Sequence, residues 1–293
     1  MNLPSLTTAV VGLHMYRVEP QGFIDESGRT SAFLELRSGE SAAEWGQKQL
    51  SSMDEYFAHP ESPPEETGPF YQLFDAYISS ATYAKTPLKI LDVGCGVSTQ
   101  PPLYAGTLVK NGAGGDRIYV GIDPIRHNIS GRAYPFICGR IEDLPKNLDD
   151  KFDVFLFSTT LDHFERIESV ATIVRQLANK DATCIFWIGL HDTQIVAEQE
   201  GSKAFLKLYR SLNPFRFLFR FGVALLRLLH FYWLMRQRQY HLVTGQPLDN
   251  FHFHYFTTDN VRQYLALFGR VTNQIRIPGT NMLFATVALG NSR

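Results

Sequence analysis

The sequence predicts an α/β fold with a doubly wound, mostly parallel sheet, and two observations carry that expectation. The run Leu88-Lys89-Ile90-Leu91-Asp92-Val93-Gly94-Cys95-Gly96 is apolar enough for a buried central strand and leads directly into a glycine turn. A second apolar run, Arg117-Ile118-Tyr119-Val120-Gly121-Ile122, ends on Asp123, with Pro101 to Asn111 between the two as room for a crossover helix. Asp92 and Asp123 thus fall at strand ends, where open α/β sheets bind ligands. An acidic residue at the second tip is able to accept hydrogen bonds from both hydroxyls of a ribose. A short Gly-x-Gly alone is weak, and the Gly-x-Gly-x-x-Gly of dinucleotide-binding proteins is absent, since position 99 is Thr99.

The remaining elements follow in order. Residues 1–86 read as a helical N-terminal segment, with helices expected at Ala42 to Phe57 and Pro69 to Tyr83. The sheet core occupies 87–195 and continues with the apolar strand Phe152-Asp153-Val154-Phe155-Leu156-Phe157. Helical spacing at Ile167, Val170, Ile173, Val174 and Leu177 predicts a helix over Arg166 to Asn179, and Ala182 to Leu190 reads as a fifth strand. A helical insert or cap spans 196–250. In 251–293, Thr258-Asp259 is expected to cap a helix that stops at Gly269, before strands near Val271 to Ile277 and Met282 to Leu289.

Between the second and fourth of these segments stands Gly139-Arg140-Ile141-Glu142-Asp143-Leu144-Pro145, and the strand Phe152 to Phe157 leads into Ser158-Thr159-Thr160-Leu161-Asp162-His163. Taken in order, these motifs resemble the class I S-adenosylmethionine-dependent methyltransferase superfamily, closely over Lys89 to His163 and in outline elsewhere. The family pattern is an acidic-x-Gly-x-Gly loop, an acidic ribose residue, an acidic-Leu-Pro segment, and a strand ending near Leu-acidic-His. The resemblance implies a Rossmann-like, seven-stranded sheet closed by an antiparallel hairpin, and S-adenosyl-L-methionine as cofactor. By that resemblance Asp92, Gly94 and Gly96 hold the methionine end, Asp123 the ribose, Ile141, Glu142 and Asp143 the adenine, and Ser158 to His163 the reacting side. The chain departs from the pattern twice. Ser98 replaces a third glycine, and Arg140 stands where an adenine-reading aspartate is common, which leaves Glu142, Asp143 or a main-chain amide for that contact.

Histidines gather where chemistry is expected: His163 after the fourth strand, His191-Asp192 after the fifth, and His252 and His254 in Phe251-His252-Phe253-His254-Tyr255-Phe256-Thr257. An alcohol acceptor needs a nearby base, whereas an amine needs only to be deprotonated. The resemblance to bacterial small-molecule and sugar methyltransferases makes His163 the first base candidate, then His254 and His191, with Asp162 or Asp192 orienting an imidazole. The His252-x-His254 spacing points both rings to one face of an extended stretch. No cysteine or glutamate completes a recognisable ligand set there, so no metal is expected.

Composition narrows the classes. Lys+Arg 28 against Asp+Glu 29 leaves a formal net charge of −1, so no global charge draws nucleic acid. The three cysteines, Cys95, Cys138 and Cys184, form no C-x-x-C pair and read as buried thiols in a reducing cytoplasm. The amino terminus lacks a basic region followed by an apolar core, so no signal peptide is expected.

The local balance is uneven. From Ser202 to Leu248 there is no acidic residue, yet Lys203, Lys207, Arg210, Arg216, Arg220, Arg227, Arg236 and Arg238 occur. On one helix Arg216, Arg220, Arg227 and Arg238 fall within roughly 40° of arc. No run reaches a membrane span, and three readings stand: a solvated lid or homodimer helix, a cap over an anionic or greasy substrate, or a membrane-surface helix near a lipid-linked substrate. The sequence therefore reads as a methyltransferase acting on a small or carrier-linked acceptor, at oxygen rather than nitrogen. The alternatives are an N-methyltransferase acting on an amine acceptor and, from another class, a non-catalytic binding module of the same fold.

Overall fold

The computed structural model describes residues 68–83, 88–110, 117–125, 132–144, 151–192, 229 and 252–290, and two further strands as backbone at 16–24 and 30–36. In chain order the elements are β1 (Tyr16–Ile24), β2 (Thr30–Leu36), α1 (Gly68–Thr82), β3 (Leu88–Val93), α2 (Gly106–Lys110), β4 (Arg117–Asp123) and β5 (Phe136–Cys138). They continue with β6 (Phe152–Ser158), α3 (Ile167–Leu177), β7 (Ala178–Gly189), α4 (Val261–Phe268), β8 (Arg270–Arg276) and β9 (Met282–Ala288). The sheet order is β1-β2-β5-β4-β3-β6-β7-β9-β8. Strands β3 to β7 run parallel to one another, whereas β9 is antiparallel to both β7 and β8. The seven strands from β5 to β8 are the Rossmann-like core expected from the sequence.

Two differences from the expected layout have local causes. Strand β5 spans only three residues, Phe136–Cys138, too few to show a period of two. The N-terminal segment contains α1 as expected, but also a β1–β2 hairpin whose second strand pairs in parallel with β5 and extends the sheet to nine strands. That edge pairing supplies main-chain partners that no local pattern announces. The expected helix over 42–57 and the basic insert over 196–250 fall outside the described residues, 229 excepted. Among the described residues, no helix is long and apolar enough to cross a membrane.

Both faces of the central strands β3, β6 and β7 are largely buried, so these strands read as apolar runs rather than alternations. Leu91, Phe155, Phe157 and Phe186 pack on one side with α3 and α4. Ile90, Val154, Leu156, Ile185 and Trp187 pack on the other with Phe74 and Ile78 of α1. Asp153 anchors the far end of the sheet, accepting from the Lys89 amide at 2.7 Å and from Asn179 Nδ2 at 2.7 Å. Its place in the Phe-Asp motif is thus structural. Helix α4 starts differently from the expectation. Asn260 and Thr257 bond each other's main-chain amides at 2.7 and 3.3 Å, while Thr258 turns its amide and hydroxyl to Asp192.

The ring of Phe157 is fully buried, stacked on Phe186 at 4.9 Å and edge-on to Phe268 at 5.5 Å. Phe157→Ala removes contacts with both β7 and α4, so we expect it to destabilise the fold by about 3–5 kcal/mol. Chemical denaturation measures that loss, and a change below about 1 kcal/mol would show that the region collapses to refill the space.

Candidate active site

The order of strands reverses at β3, which β4 and β5 flank on one side and β6 and β7 on the other. A crevice opens at such a point, outside the carboxyl ends of the strands. Here it is a cleft of about 570 Å³ lined by the loops after β3 (Gly94, Gly96), β4 (Asp123, Ile125), β5 (Arg140, Glu142) and β6 (Ser158, His163).

The turn after β3 is tightly specified. Gly94 has φ +76°, and a Cβ there would collide with Thr160 Cγ2. Thr160 in turn donates its hydroxyl to the Val93 carbonyl at 3.0 Å. Gly96 gives its amide to Asp123 Oδ2 at 2.9 Å, and the Ile125 amide bonds Asp123 Oδ1 at 2.9 Å. Burial pushes the Asp123 carboxyl up to about 6, against the two amides that favour its charged form. Beneath the turn, Arg132 is buried with its guanidinium 3.7 Å from the centre of the Phe136 ring. It donates to the carbonyls of Gly96 at 2.7 Å and Ser98 at 3.3 Å. Arg132 thus holds the main chain of the loop in place, a role the sequence did not announce because its segment carries no motif.

Asp92 has a different position from its strand-tip partner. Its carboxylate does not line the cleft but points to the α1 side, where Tyr104 and Tyr119 donate their hydroxyls to Oδ2 at 2.8 and 2.5 Å. Its Oδ1 is buried without a hydrogen-bond partner. Burial raises its carboxyl to about 7, opposed by the two tyrosine hydroxyls and reinforced by Asp123.

At the adenine end the sequence left several readers open. Arg140 and Asp143 pair with each other in a two-pronged contact, Nε to Oδ2 and Nη2 to Oδ1, both 3.1 Å. Glu142 lines the cleft instead, and its Oε2 is buried without a hydrogen-bond partner. Burial raises its carboxyl, with Arg140 pulling it back. Ile141 and Ser158 also face the cleft.

Of the three candidate bases, His163 lines the cleft, with Asp162 Oδ1 3.7 Å from its Nε2. The segment before α4 comes alongside, because the Phe253 amide bonds the Asp162 carbonyl at 2.8 Å. That contact sets His252 Nε2 3.9 Å from Asp162 Oδ2. His254 turns to other neighbours, its ring 5.5 Å from Tyr264, its Nε2 buried and its proton affinity lowered by burial. His252 and His254 therefore serve different surroundings despite their spacing. His191 stacks on Tyr255 at 4.2 Å, and Asp192 is engaged by Thr258. Neither His191 nor His254 lines the cleft.

Residues 91–186 match the family model described as a methyltransferase domain. That match covers the stretch from β3 to β7 that forms the cleft. No curated protein matches the sequence significantly. Among solved structures, it is similar to 1,6-didemethyltoxoflavin-N1-methyltransferase from Burkholderia thailandensis, at 11% identity over 86% of this chain and 88% of that one, TM-score 0.47. It is also similar to N-methyltransferase NodS from Bradyrhizobium japonicum WM9, at 11% over 83% and 97%, TM-score 0.46. A third is magnesium protoporphyrin IX methyltransferase from Synechocystis PCC 6803, at 12% over 85% and 99%, TM-score 0.46. None of these carries an acceptor or a residue role over to this chain.

The two raised carboxyls give the ligand-free protein a distinctive pH dependence. Asp92 titrates at about 7 when folded and near 4 when unfolded, so the folded state holds the proton more tightly. Its contribution to stability is full at low pH and is lost as pH rises through about 4 to 7. Asp92→Asn keeps an oxygen for the tyrosines but removes the titration. Relative to wild type, its denaturation midpoint should climb between about pH 5 and pH 8; parallel pH curves would show that Asp92 is not the group responsible.

Proposed function

We propose that this enzyme methylates an oxygen of a small-molecule or carrier-linked acceptor, with the Asp162–His163 pair handling the acceptor's proton. The observation that carries this is that His163 lines the methyltransferase cleft with a carboxylate beside its imidazole. Bound S-adenosylmethionine supplies an electrophilic methyl group on a sulfonium. Its fit to the cleft rests on the acceptor atoms presented there. Asp123 retains lone pairs for ribose hydroxyls, and Glu142 Oε2, buried without a partner, suits the adenine amino group. The glycine turn at Gly94 and Gly96 brings main chain rather than side chains toward the methionine end, and Asp92 acts from beneath through the same turn.

Methyl transfer is an in-line displacement, so the protein's contribution is alignment and exclusion of water. A hydroxyl acceptor adds one requirement, removal of its proton as the carbon–oxygen bond forms. His163 is placed to take that proton, and Asp162 stabilises the imidazolium that results. An amine acceptor would make little use of such a base, which is why oxygen is favoured over nitrogen. The segment 196–250, with its arginines and no acidic residue from 202 to 248, is read as a cap contributing positive charge toward an anionic or lipid-linked acceptor. On this reading 1–86 and 251–293 flank the cofactor-binding core at 87–195, and no metal or nucleic acid enters the basic scheme.

Two experiments test this reading. Asp123→Ala should weaken S-adenosylhomocysteine binding by about 1.5–3 kcal/mol in calorimetry, the range for hydrogen bonds to a charged group. Unchanged affinity would remove Asp123 from the ribose. His163→Ala should lower turnover by about 10²–10⁴ while cofactor affinity holds. Full activity of that variant between about pH 6 and 9 would mean that His163 is not the base.

A further inference from the structure

We propose that Asp162, His163 and His252 form a binding site for a divalent transition-metal ion, zinc in chemistry rather than magnesium, at the mouth of the cleft. The proposal deepens the acceptor reading above and rests on it for the identity of the cleft. One ligand atom from each of the three residues lies within 4.8 Å of the other two. Asp162 stands between the imidazoles, with Oδ1 3.7 Å from His163 Nε2 and Oδ2 3.9 Å from His252 Nε2. Those separations are too long for hydrogen bonds, yet they need close by only about 0.3–0.6 Å to match the edges of a tetrahedron with ligands about 2.0–2.1 Å from zinc.

The main chain holds the three residues in place. His163 sits on the short turn Leu161–His163, its amide bonded to the Thr160 carbonyl at 3.1 Å. Phe253, next to His252, bonds the Asp162 carbonyl at 2.8 Å, so the two segments that supply the ligands are tied together at the site. The imidazole rings lie 5.0 Å apart between centroids, both within reach of a shared ion. The side chains of Asp162, His163 and His252 are 14%, 19% and 34% exposed, sheltered but open to an entering ion.

The donor set selects the ion. Two imidazoles and one carboxylate suit zinc and its neighbours, whereas magnesium prefers an all-oxygen shell with several waters. Three protein ligands leave a fourth position free, and His163 turns this group toward the cleft. An acceptor hydroxyl bound there would release its proton to solvent at near-neutral pH and attack the methyl carbon as a metal-bound alkoxide. The new carbon–oxygen bond forms as the carbon–sulfur bond breaks, and the sulfonium leaves as a neutral thioether. In the metal-loaded enzyme His163 would serve as a ligand instead of as the base, and activation of the acceptor hydroxyl would pass to the ion. The sequence predicts no metal, because nothing completes a ligand set around His252-x-His254; the structure brings His252 to Asp162 and His163 instead.

The test is binding of Zn²⁺ and Co²⁺ to the untagged full-length protein after treatment with a chelator. Calorimetry should give one zinc per chain, and cobalt should develop the visible absorption of a low-coordinate site. Asp162→Asn and His252→Ala should each weaken zinc binding by more than the roughly 10–100-fold that follows loss of an outer-shell partner, and abolish the cobalt spectrum. His191→Gln should leave both intact. Circular dichroism and S-adenosylhomocysteine affinity establish that each variant is folded, and Asp162→Asn carries the test alone should His252→Ala not fold. Zinc affinity or a cobalt spectrum equal in wild type and both variants would overturn the site. Absence of binding in wild type would do the same. Methyl transfer that persists in chelator would leave the acceptor reading standing while removing the ion from it; failure to bind S-adenosylhomocysteine would instead remove the acceptor reading.

Discussion

The turn that follows β3 is the constraint on which the cleft depends. A parallel sheet delivers its loops to one edge, but a ligand reaches the main chain only where the backbone leaves the strand abruptly. Gly94 does so in the left-handed region, with no room for a side chain between itself and Thr160. The two neighbouring loops then hold the turn. Asp123 accepts from the Gly96 amide, and Arg132 donates to the Gly96 carbonyl. One residue of the turn is thus fixed on both its polar groups by residues from beyond β3. Displacing the loop would strip a buried carboxylate and a buried guanidinium of main-chain partners at once, which makes the geometry costly to deform.

Two buried carboxyls at neighbouring strand ends divide the work. Asp123 lines the cleft and is bonded by main-chain amides. Asp92 faces the opposite layer and is held by two tyrosine hydroxyls from α1's side of the sheet. The alternation of a β-strand accounts for the split, since Val93 carries the cleft-side position next to it. Sequence position alone would group the two aspartates as ligands of one cofactor. Their surroundings differ, one lining the cleft and the other held by tyrosines in the layer beneath the turn.

The fold was legible where strands are buried on both faces, because a short apolar run such as Val154 to Phe157 suits a central parallel strand. The glycine turn and Asp123 were legible for a second reason: their chemistry is local, set by two or three adjacent residues. Helix α3 showed its period plainly at Ile167, Val170, Val174 and Leu177, all of which are buried. The features that left no mark in the sequence are long-range. Arg132 lies in a segment without pattern, and its function comes from the loop it meets, some 36 residues earlier in the chain at Gly96. Tyr104 and Tyr119 likewise acquire meaning only through Asp92. Strand β5 was too short to register, and the β1–β2 hairpin gains its place from an edge that β5 offers. The cap of α4 misled for a related reason. Thr258 and Asp259 satisfy the local rule, but Asp192 competes for Thr258 from a distant loop, and the turn before α4 is held instead by Thr257 and Asn260 bonding each other's amides.

The same distinction governs the histidines. In sequence, His252 and His254 are a pair and His163 stands alone, whereas in space His163 and His252 are the pair. A single main-chain bond, from the Phe253 amide to the Asp162 carbonyl, produces this exchange. It docks the stretch before α4 against the turn after β6, and the alternation of side chains along that stretch does the rest. His252 is brought to Asp162, while His254, two residues on, is drawn into the packing of Phe256 and Tyr264 and loses its access to the cleft. Chemistry at the reacting side is therefore assembled by the docking of two loops on the rigid sheet. That is why an acceptor site is harder to read from sequence than the cofactor side, whose residues each sit at the end of their own strand.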